Sequence, residues 1–299
     1  MMDVMWFDGA LRHRSAIEVA PFTHALHYGS GVFEGLRAYP TARGPAVFRM
    51  RDHVTRLFAS ATAYGLQISF SADELARAIG ETIRANAMGD GYIRPLVFFG
   101  ESGISLAPSY HCPTHTLVAL RPLNGSLIGG GEGAKVCVSP WRKTPSSALP
   151  STVKACGHYM NSILALQEAY ARGYHEAILL NDRGEVAEGT GENIFLVKNG
   201  RLHTNDARAD ILEGITRDTV IRIARDRGIP VDVAPITMDD IGSADELFFT
   251  GTAAEVMPIV QVDDRSFASN SPVTTELRRT YASVVRGQEP AYVQWLSYV

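Results

Sequence analysis

Two residues stand out for the chemistry they could do. Lys154 lies in Ser151-Thr-Val-Lys-Ala-Cys-Gly-His-Tyr159, and Glu188 lies in Val186-Ala-Glu-Gly-Thr-Gly-Glu-Asn-Ile194. The lysine sits in a mostly uncharged stretch. The nearest basic side chains on either side in sequence, histidine aside, are Lys143 and Arg172. Desolvation disfavours the ammonium form, so a lysine removed from water and charge loses its proton more readily. A neutral amine is what Schiff-base chemistry requires. The same spacing also suits a plain loop lysine at a helix start, facing water, and spacing alone does not decide between them. Glu188 is a carboxylate at a glycine-rich turn after an apolar strand pattern.

Other candidates are scattered along the chain. Tyr159 follows the lysine closely. Arg56 lies beside the apolar stripe of a helix, where a solvated helix charge is the plainer explanation. Arg94 is the odd charge in the strand pattern Tyr92-Ile-Arg-Pro-Leu-Val-Phe-Phe99, and an edge strand facing water would account for it, as Pro95 favours. Thr216 opens a helix, where free backbone N–H groups favour an anion, although an ordinary cap fits equally. Thr250-Gly-Thr-Ala253 is a small-residue turn with room for a phosphate against backbone amides, or a simple link between strands.

These groups need elements to hold them. Strands are expected at Val4–Phe7, Val32–Tyr39, Val47–Met50, Tyr92–Phe99, Thr116–Arg121, Lys135–Ser139 and Glu246–Phe249. Helices are expected over Arg51–Tyr64, with Val54, Leu57, Phe58 and Ala61 as its stripe, and after Ser71, where Glu74 completes a capping box and Gly89 closes it. Others are expected over His158–Arg172, with Ile163, Leu164, Leu166 and Ala169 buried, and over Ile215–Arg227 and Pro272–Arg286. After His158–Arg172 the pattern gives three strands, separated by the turns Asp182-Arg-Gly184 and Asn199-Gly200. The five glycines within 123–133 mark a connection, giving domains at 1–122 and 134–299.

Bulk properties narrow the class. A chain of 299 residues suits two domains. The net charge of -4, with no basic block, argues against nucleic acid as a partner. Apolar runs such as Ala177-Ile-Leu-Leu180 are too short to span a membrane, and no signal-peptide pattern is seen. Three widely spaced cysteines, Cys112, Cys137 and Cys156, argue for a reducing cytoplasm rather than a disulfide framework. His111, Cys112 and His115 cluster around Pro113 but lack a second ligand pair with matching spacing. A strand start is expected there, and no metal.

One lysine, one carboxylate, one tyrosine, a helix-start hydroxyl, a strand-end Gly-Thr and an arginine match the needs of pyridoxal 5'-phosphate. Its aldehyde needs an amine, its ring nitrogen a carboxylate, its phenolic oxygen a donor, and its phosphate an arginine, hydroxyls and amides. Spacing alone does not establish this. Resemblance adds to it. The segments His24-Ala-Leu-His-Tyr-Gly29, Val32-Phe-Glu-Gly-Leu-Arg37, Tyr92-Ile-Arg-Pro95, Glu188-Gly-Thr-Gly-Glu-Asn193, Leu212-Glu-Gly-Ile-Thr-Arg217 and Phe249-Thr-Gly-Thr-Ala-Ala-Glu255 resemble those of class IV (fold-type IV) aminotransferases. The likeness is closest to branched-chain amino acid aminotransferases and covers nearly the whole chain.

That resemblance implies a mixed α/β (α+β) fold: a small α/β domain and a larger pseudo-barrel domain, usually in a homodimer or larger homo-oligomer. It implies transfer of an amino group from leucine, isoleucine or valine to 2-oxoglutarate. Lys154 would carry the cofactor and shuttle the proton, Glu188 would pair with the ring nitrogen and Tyr159 would bond the phenolic oxygen. Arg56, Ile215, Thr216 and Thr252 would hold the phosphate, and Leu212 would pack on the ring. The backbone of Thr252 and Ala253 would bind the substrate carboxylate. Tyr28, Phe33, Gly35 and Tyr92 would shape the side-chain pocket, and Arg94 would receive the distal carboxylate of glutamate.

The pattern loosens at His158, where an asparagine is common, at Cys156, where a glycine is, at Leu123-Asn124, and in the loop Gly100–Pro108. The last two bear on substrate preference. The same fold also serves D-amino acid and (R)-amine aminotransferases and aminodeoxychorismate lyases. A catalytically silent scaffold of this fold is a further alternative, against which the intact Lys154, Tyr159, Glu188 and Arg56 set argues.

Overall fold

A computed structural model of the chain describes residues 3–108, 112–123, 133–268 and 271–299. The chain forms two compact units. The first is Met1–Asn124 with Val153–Gly157 and Val284–Val299; the second is Gly125–Thr152 with His158–Ser283. Lys154 therefore belongs to the first unit, and Tyr159 and Glu188 to the second.

In chain order the elements begin with β1 (Val4–Phe7), β2 (Ala10–His13), α1 (His24–Tyr28), β3 (Gly31–Phe33), β4 (Leu36–Thr41) and β5 (Gly44–Phe48). Next come α2 (Met50–Ala63), α3 (Ala72–Ala85), β6 (Gly91–Phe99), β7 (Thr114–Arg121), β8 (Ala134–Arg142), α4 (Tyr159–Ala171) and β9 (Glu176–Leu180). They continue with β10 (Asn193–Lys198), β11 (Arg201–Thr204), α5 (Ile215–Asp226), β12 (Val231–Val233), α6 (Met238–Ser243) and β13 (Glu246–Gly251). The last are β14 (Glu255–Val262), β15 (Arg265–Ser266), α7 (Pro272–Val285) and β16 (Leu296–Tyr298).

The first unit is built on an antiparallel sheet in the order β16-β5-β4-β6-β7-β1-β2, with β3 also paired to β6. Its core joins Val54, Leu57 and Ala61 of α2 to Leu75, Ile79 and Ile83 of α3 and to Val32, Leu36 and Val97 of the sheet. The expected helical stripe holds, with Phe58 only partly buried at its margin. The Ser71–Glu74 capping box forms, but α3 ends at Ala85, ahead of Gly89. The stretch Val32–Tyr39 is two strands, broken at Glu34-Gly35. Strand β6 is not an edge strand: β7 flanks one side, while β4 (through Gly91–Ile93) and β3 (through Leu96–Phe98) share the other. Arg94 and Pro95 fall in the gap between β3 and β4, where a proline needs no partner for its missing N–H. The break in one strand and the proline in the next thus accommodate each other.

The second unit has a mixed sheet in the order β12-β11-β10-β13-β14-β8-β9, with β15 on β14. The pairs β11–β12, β14–β8 and β8–β9 are parallel. Between β10 and β11, Asn199 (φ 52) and Gly200 (φ 72) form the tight hairpin turn expected of Asn-Gly. The Asp182–Gly184 turn leads into isolated bridges from Val186 to Leu180 and Ile236, rather than a third full strand. Helix α4 packs through Ala165 and Ala169 onto Cys137, Ala177 and Leu179. Ile163 and Leu164, expected inside, are 44% and 36% exposed. Small residues let this helix lie close to the sheet, which turns its larger apolar side chains outward.

Residues 124–132, which hold most of the expected interdomain connection, lie outside the described residues, as does His111. Of the other two residues clustered around Pro113, His115 bonds Asp8 and the Cys112 thiol faces the carbonyls of Gly100 and Pro113. Among the described residues no helix is long and apolar enough to cross a membrane.

Candidate active site

In the first unit, Lys154 is held by its backbone. Its N–H donates to Ser60 Oγ (3.2 Å), and its carbonyl accepts from the Phe33 N–H (3.0 Å). Ala155 forms an antiparallel bridge with Val32. Val153 and Ala155 are buried in the core on either side. Alternation along an extended chain then directs the Lys154 side chain away from that core. Its ammonium nitrogen lies 5.2 Å from the centroid of the Phe33 ring. This is a lysine fixed by its backbone hydrogen bonds beside a single β-bridge, not one loose at a helix start.

Arg56, on α2, is paired to a carboxylate that the sequence did not single out. Glu34 is fully buried. It accepts from Arg56 Nε (2.5 Å) and Nη2 (3.0 Å), from His53 Nδ1 (2.7 Å) and from the Gly35 N–H (3.2 Å). Burial alone would push this carboxyl up; the Arg56 guanidinium and His53 outweigh it and hold the group far below the usual carboxylate range. Burial holds the His53 imidazole below its usual range, against the pull of Glu34.

The pocket candidates of this unit converge on the strand break. Arg94 lies over the Phe33 ring, 4.4 Å from its centroid, and its Nη2 donates to the Tyr92 hydroxyl (3.1 Å). That hydroxyl stands over Gly35. Tyr28 is set apart from them at the end of α1. Its hydroxyl donates to the Ile104 carbonyl (2.9 Å) and its ring packs on His24, which also meets the Leu106 carbonyl (3.2 Å). Two side chains thus tie the 100–108 loop.

In the second unit, Glu188 is buried and its carboxylate meets donors alone. Lys143 Nζ reaches Oε1 (2.6 Å), while Asn193 Nδ2 (3.0 Å) and the Leu212 N–H (3.2 Å) reach Oε2. Asn193 works as a clamp. Its Nδ2 also donates to the Leu212 carbonyl (2.7 Å), and its Oδ1 accepts from the Gly214 N–H (3.1 Å). The Glu188 carboxylate is thereby joined to the segment leading into α5. Helix α5 starts at Ile215 and Thr216, both buried, with Gly214 as an N-cap that offers no side chain. Its first N–H groups are those that favour an anion. Thr252 and Ala253 lie in the short turn joining β13 to β14, half-buried. Tyr159 is the first residue of α4.

The structure therefore groups Phe33, Gly35, Tyr92 and Arg94 at one place, and Glu188 and Leu212 at another, next to the start of α5. Sequence reasoning missed Glu34, His53, Lys143 and Asn193. Glu34 and Asn193 lay inside the segments already noted, and a charge within an apolar strand or an amide after a glycine-rich turn was the available signal. His53 and Lys143 carried none. The residue types suit pyridoxal 5'-phosphate, each unit taken by itself: the first offers an amine and a guanidinium, the second a buried carboxyl group met by donors alone and a helix start without a side-chain cap.

Residues 31–262 match the family Amino-transferase class IV. The chain is 41% identical over 301 residues to the branched-chain-amino-acid aminotransferase of Pseudomonas aeruginosa, covering 99% of this chain and 97% of that one. It is similar to the crystal structure of a branched-chain aminotransferase from Thermoproteus uzoniensis with norvaline (TM-score 0.94, 44% identity, 98% of each chain). It is likewise similar to the T.th. branched-chain amino acid aminotransferase complexed with N-(5'-phosphopyridoxyl)-L-glutamate (TM-score 0.93, 41% identity, 99% and 98% of the two chains).

Proposed function

Because the chain belongs to the class IV aminotransferases, we propose that it moves the amino group of leucine, isoleucine or valine to 2-oxoglutarate. It is a fold-type IV, pyridoxal-phosphate-dependent transaminase. The observation that carries the substrate assignment is the cluster of Phe33, Gly35, Tyr92 and Arg94. An aromatic wall beside a glycine suits a branched apolar side chain, and a guanidinium on that wall suits the distal carboxylate of glutamate. The relative reported with norvaline supports an apolar side chain of this size, and the one reported with N-(5'-phosphopyridoxyl)-L-glutamate supports glutamate as the other substrate.

When bound, pyridoxal phosphate supplies an aldehyde for the amine and a ring that withdraws electrons from the substrate α-carbon. The protein's share is positioning and proton transfer. Lys154 holds the cofactor through its amine and moves the proton at the substrate α-carbon, so one group serves as tether and general acid–base. Glu188 offers a fixed negative charge to the ring nitrogen, and Tyr159 a hydrogen bond to the phenolic oxygen. Arg56, the Ile215 amide, Thr216 and Thr252 hold the phosphate. Leu212 packs on the ring. The Thr252 and Ala253 amides orient the substrate carboxylate, and Tyr28, Phe33, Gly35 and Tyr92 bound its side chain.

We place the enzyme in the cytoplasm as a homodimer or larger homo-oligomer. Three free cysteines support the first, and the apolar Met160, Ile163, Leu164 and Tyr170 exposed on α4 support the second. Sedimentation tests the assembly: a monomer at micromolar concentration contradicts it. The domain limits 1–122 and 134–299 remain part of this proposal. Steady-state assay with L-leucine and 2-oxoglutarate tests the activity. Turnover of D-amino acids or (R)-amines without turnover of L-leucine overturns the substrate assignment and leaves the class.

A further inference from the structure

Lys143 and Glu188 form an ion pair in which the ammonium nitrogen lies 2.6 Å from Oε1, with side chains only 17% and 8% exposed. Strand β9 aligns both partners. The Lys143 N–H donates to the Leu180 carbonyl (2.8 Å), and the Leu179 N–H donates to the Glu188 carbonyl (2.9 Å). Adjacent residues of one strand thus fix both backbones, and with them the positions from which the two side chains meet. Asn193 and the Leu212 N–H hold the other oxygen.

We propose that Lys143 is a positioning residue for the cofactor, acting through Glu188: its ammonium, in contact with Oε1, holds that carboxylate in one orientation, ready for the ring nitrogen. This inference rests on the reading that Glu188 faces that nitrogen. Burying a carboxylate costs desolvation, which a directly contacting cation and further hydrogen bonds offset. The charged and titratable groups around the pair are few. His158, just ahead of α4, is held neutral by burial and then by Lys143 itself. Arg217 on α5 feels Glu188 from a greater distance and is occupied by the Asn205 carbonyl, with Glu213 beside it. Lys143 is the cation in hydrogen-bond contact.

The test is a double-mutant cycle read as the dissociation constant of pyridoxal phosphate from the apoprotein, measured by fluorescence titration. The forms compared are wild type, Lys143→Gln, Lys143→Arg, Glu188→Gln and the double variant Lys143→Gln/Glu188→Gln. Lys143→Gln is expected to weaken binding about tenfold or more, and Lys143→Arg to restore it to within about threefold. On the Glu188→Gln background, Lys143→Gln is expected to change the constant less than about twofold, because the group it acts through is gone. The same loss in both backgrounds, or no loss in the wild-type background, overturns the inference. Should Lys143→Gln not fold, Lys143→Met, which keeps the apolar stem, enters the same cycle. A wild type that does not bind pyridoxal phosphate, or a Glu188→Gln that binds it unchanged, defeats the underlying reading instead, and the two failures are thereby told apart.

Discussion

The hydroxyl of Tyr92 fills the space where a β-carbon on Gly35 would be: an atom placed there would lie 1.8 Å from the oxygen and 2.6 Å from Cζ of the ring. No real β-carbon tolerates that approach, so alanine at 35 displaces the tyrosine. Arg94 Nη2, 3.1 Å from the same hydroxyl, moves with it. Gly35 therefore acts by leaving room for a neighbour, and not by its own backbone freedom, and in the proposed pocket that neighbour is part of the wall.

Gly35→Ala is expected to lower kcat/KM for L-leucine by roughly 10–100-fold, the range for small misplacements at a site. The cofactor's absorption should stay unchanged. Steady-state kinetics beside a spectrum check this. Wild-type kcat/KM in the variant contradicts the role given to Tyr92.

Arg94→Gln separates the two halves of the reaction. Single-turnover measurements should show the 2-oxoglutarate half weakened by about tenfold or more, for loss of a charge-assisted contact. The L-leucine half should change by less than about threefold. Equal losses in both halves would assign Arg94 to structure and not to the acceptor's carboxylate.

Glu34→Ala leaves the Arg56 guanidinium, 17% exposed, without the carboxylate it meets in two contacts. Breaking one side of a buried pair costs about 3–5 kcal/mol. Urea unfolding should show a loss of that order, and a loss below about 1 kcal/mol contradicts the pairing.

His53 gives stability a pH dependence of known sign. Its folded-state pKa lies below the ordinary 6.5. The unfolded chain therefore binds a proton first as pH falls. The stability this gives is full above about 6.5 and is lost as pH drops toward the folded value. Glu34, also depressed, adds its own loss at lower pH, below the ordinary 4.5. Unfolding free energies at pH 7 and 5 should fall more in the wild type than in His53→Gln. Parallel slopes would show that His53 is not held neutral.

The helices, and the stripe of α2, were legible because an apolar period needs only local sequence. The turn at Asn199-Gly200 and the Ser71 capping box were legible for the same reason. Lys154, Glu188 and Tyr159 came from motif and chemistry together. The edge-strand alternative for Arg94 fails because the split between β3 and β4, a tertiary event, leaves β6 paired on both sides. The outward turn of Ile163 and Leu164 could not be read either. A helix that is apolar on most sides hides which side is buried, and Ala165 and Ala169 won by fitting close to the sheet. Lys143 and His53 were missed because each gains its meaning from a carboxylate far away in sequence, Glu188 and Glu34.

The central claim is that Lys154 would carry pyridoxal phosphate and give it up to the amino group of an L-branched-chain amino acid, its own amine being released. The visible spectrum of the purified protein, before and after L-leucine, tests it most directly. The account predicts a yellow wild type whose visible band gives way to a band at shorter wavelength on adding L-leucine, and no such yellow band from Lys154→Ala. A wild type that stays colourless after incubation with pyridoxal phosphate, or a Lys154→Ala that keeps the wild-type band and its response, would contradict it.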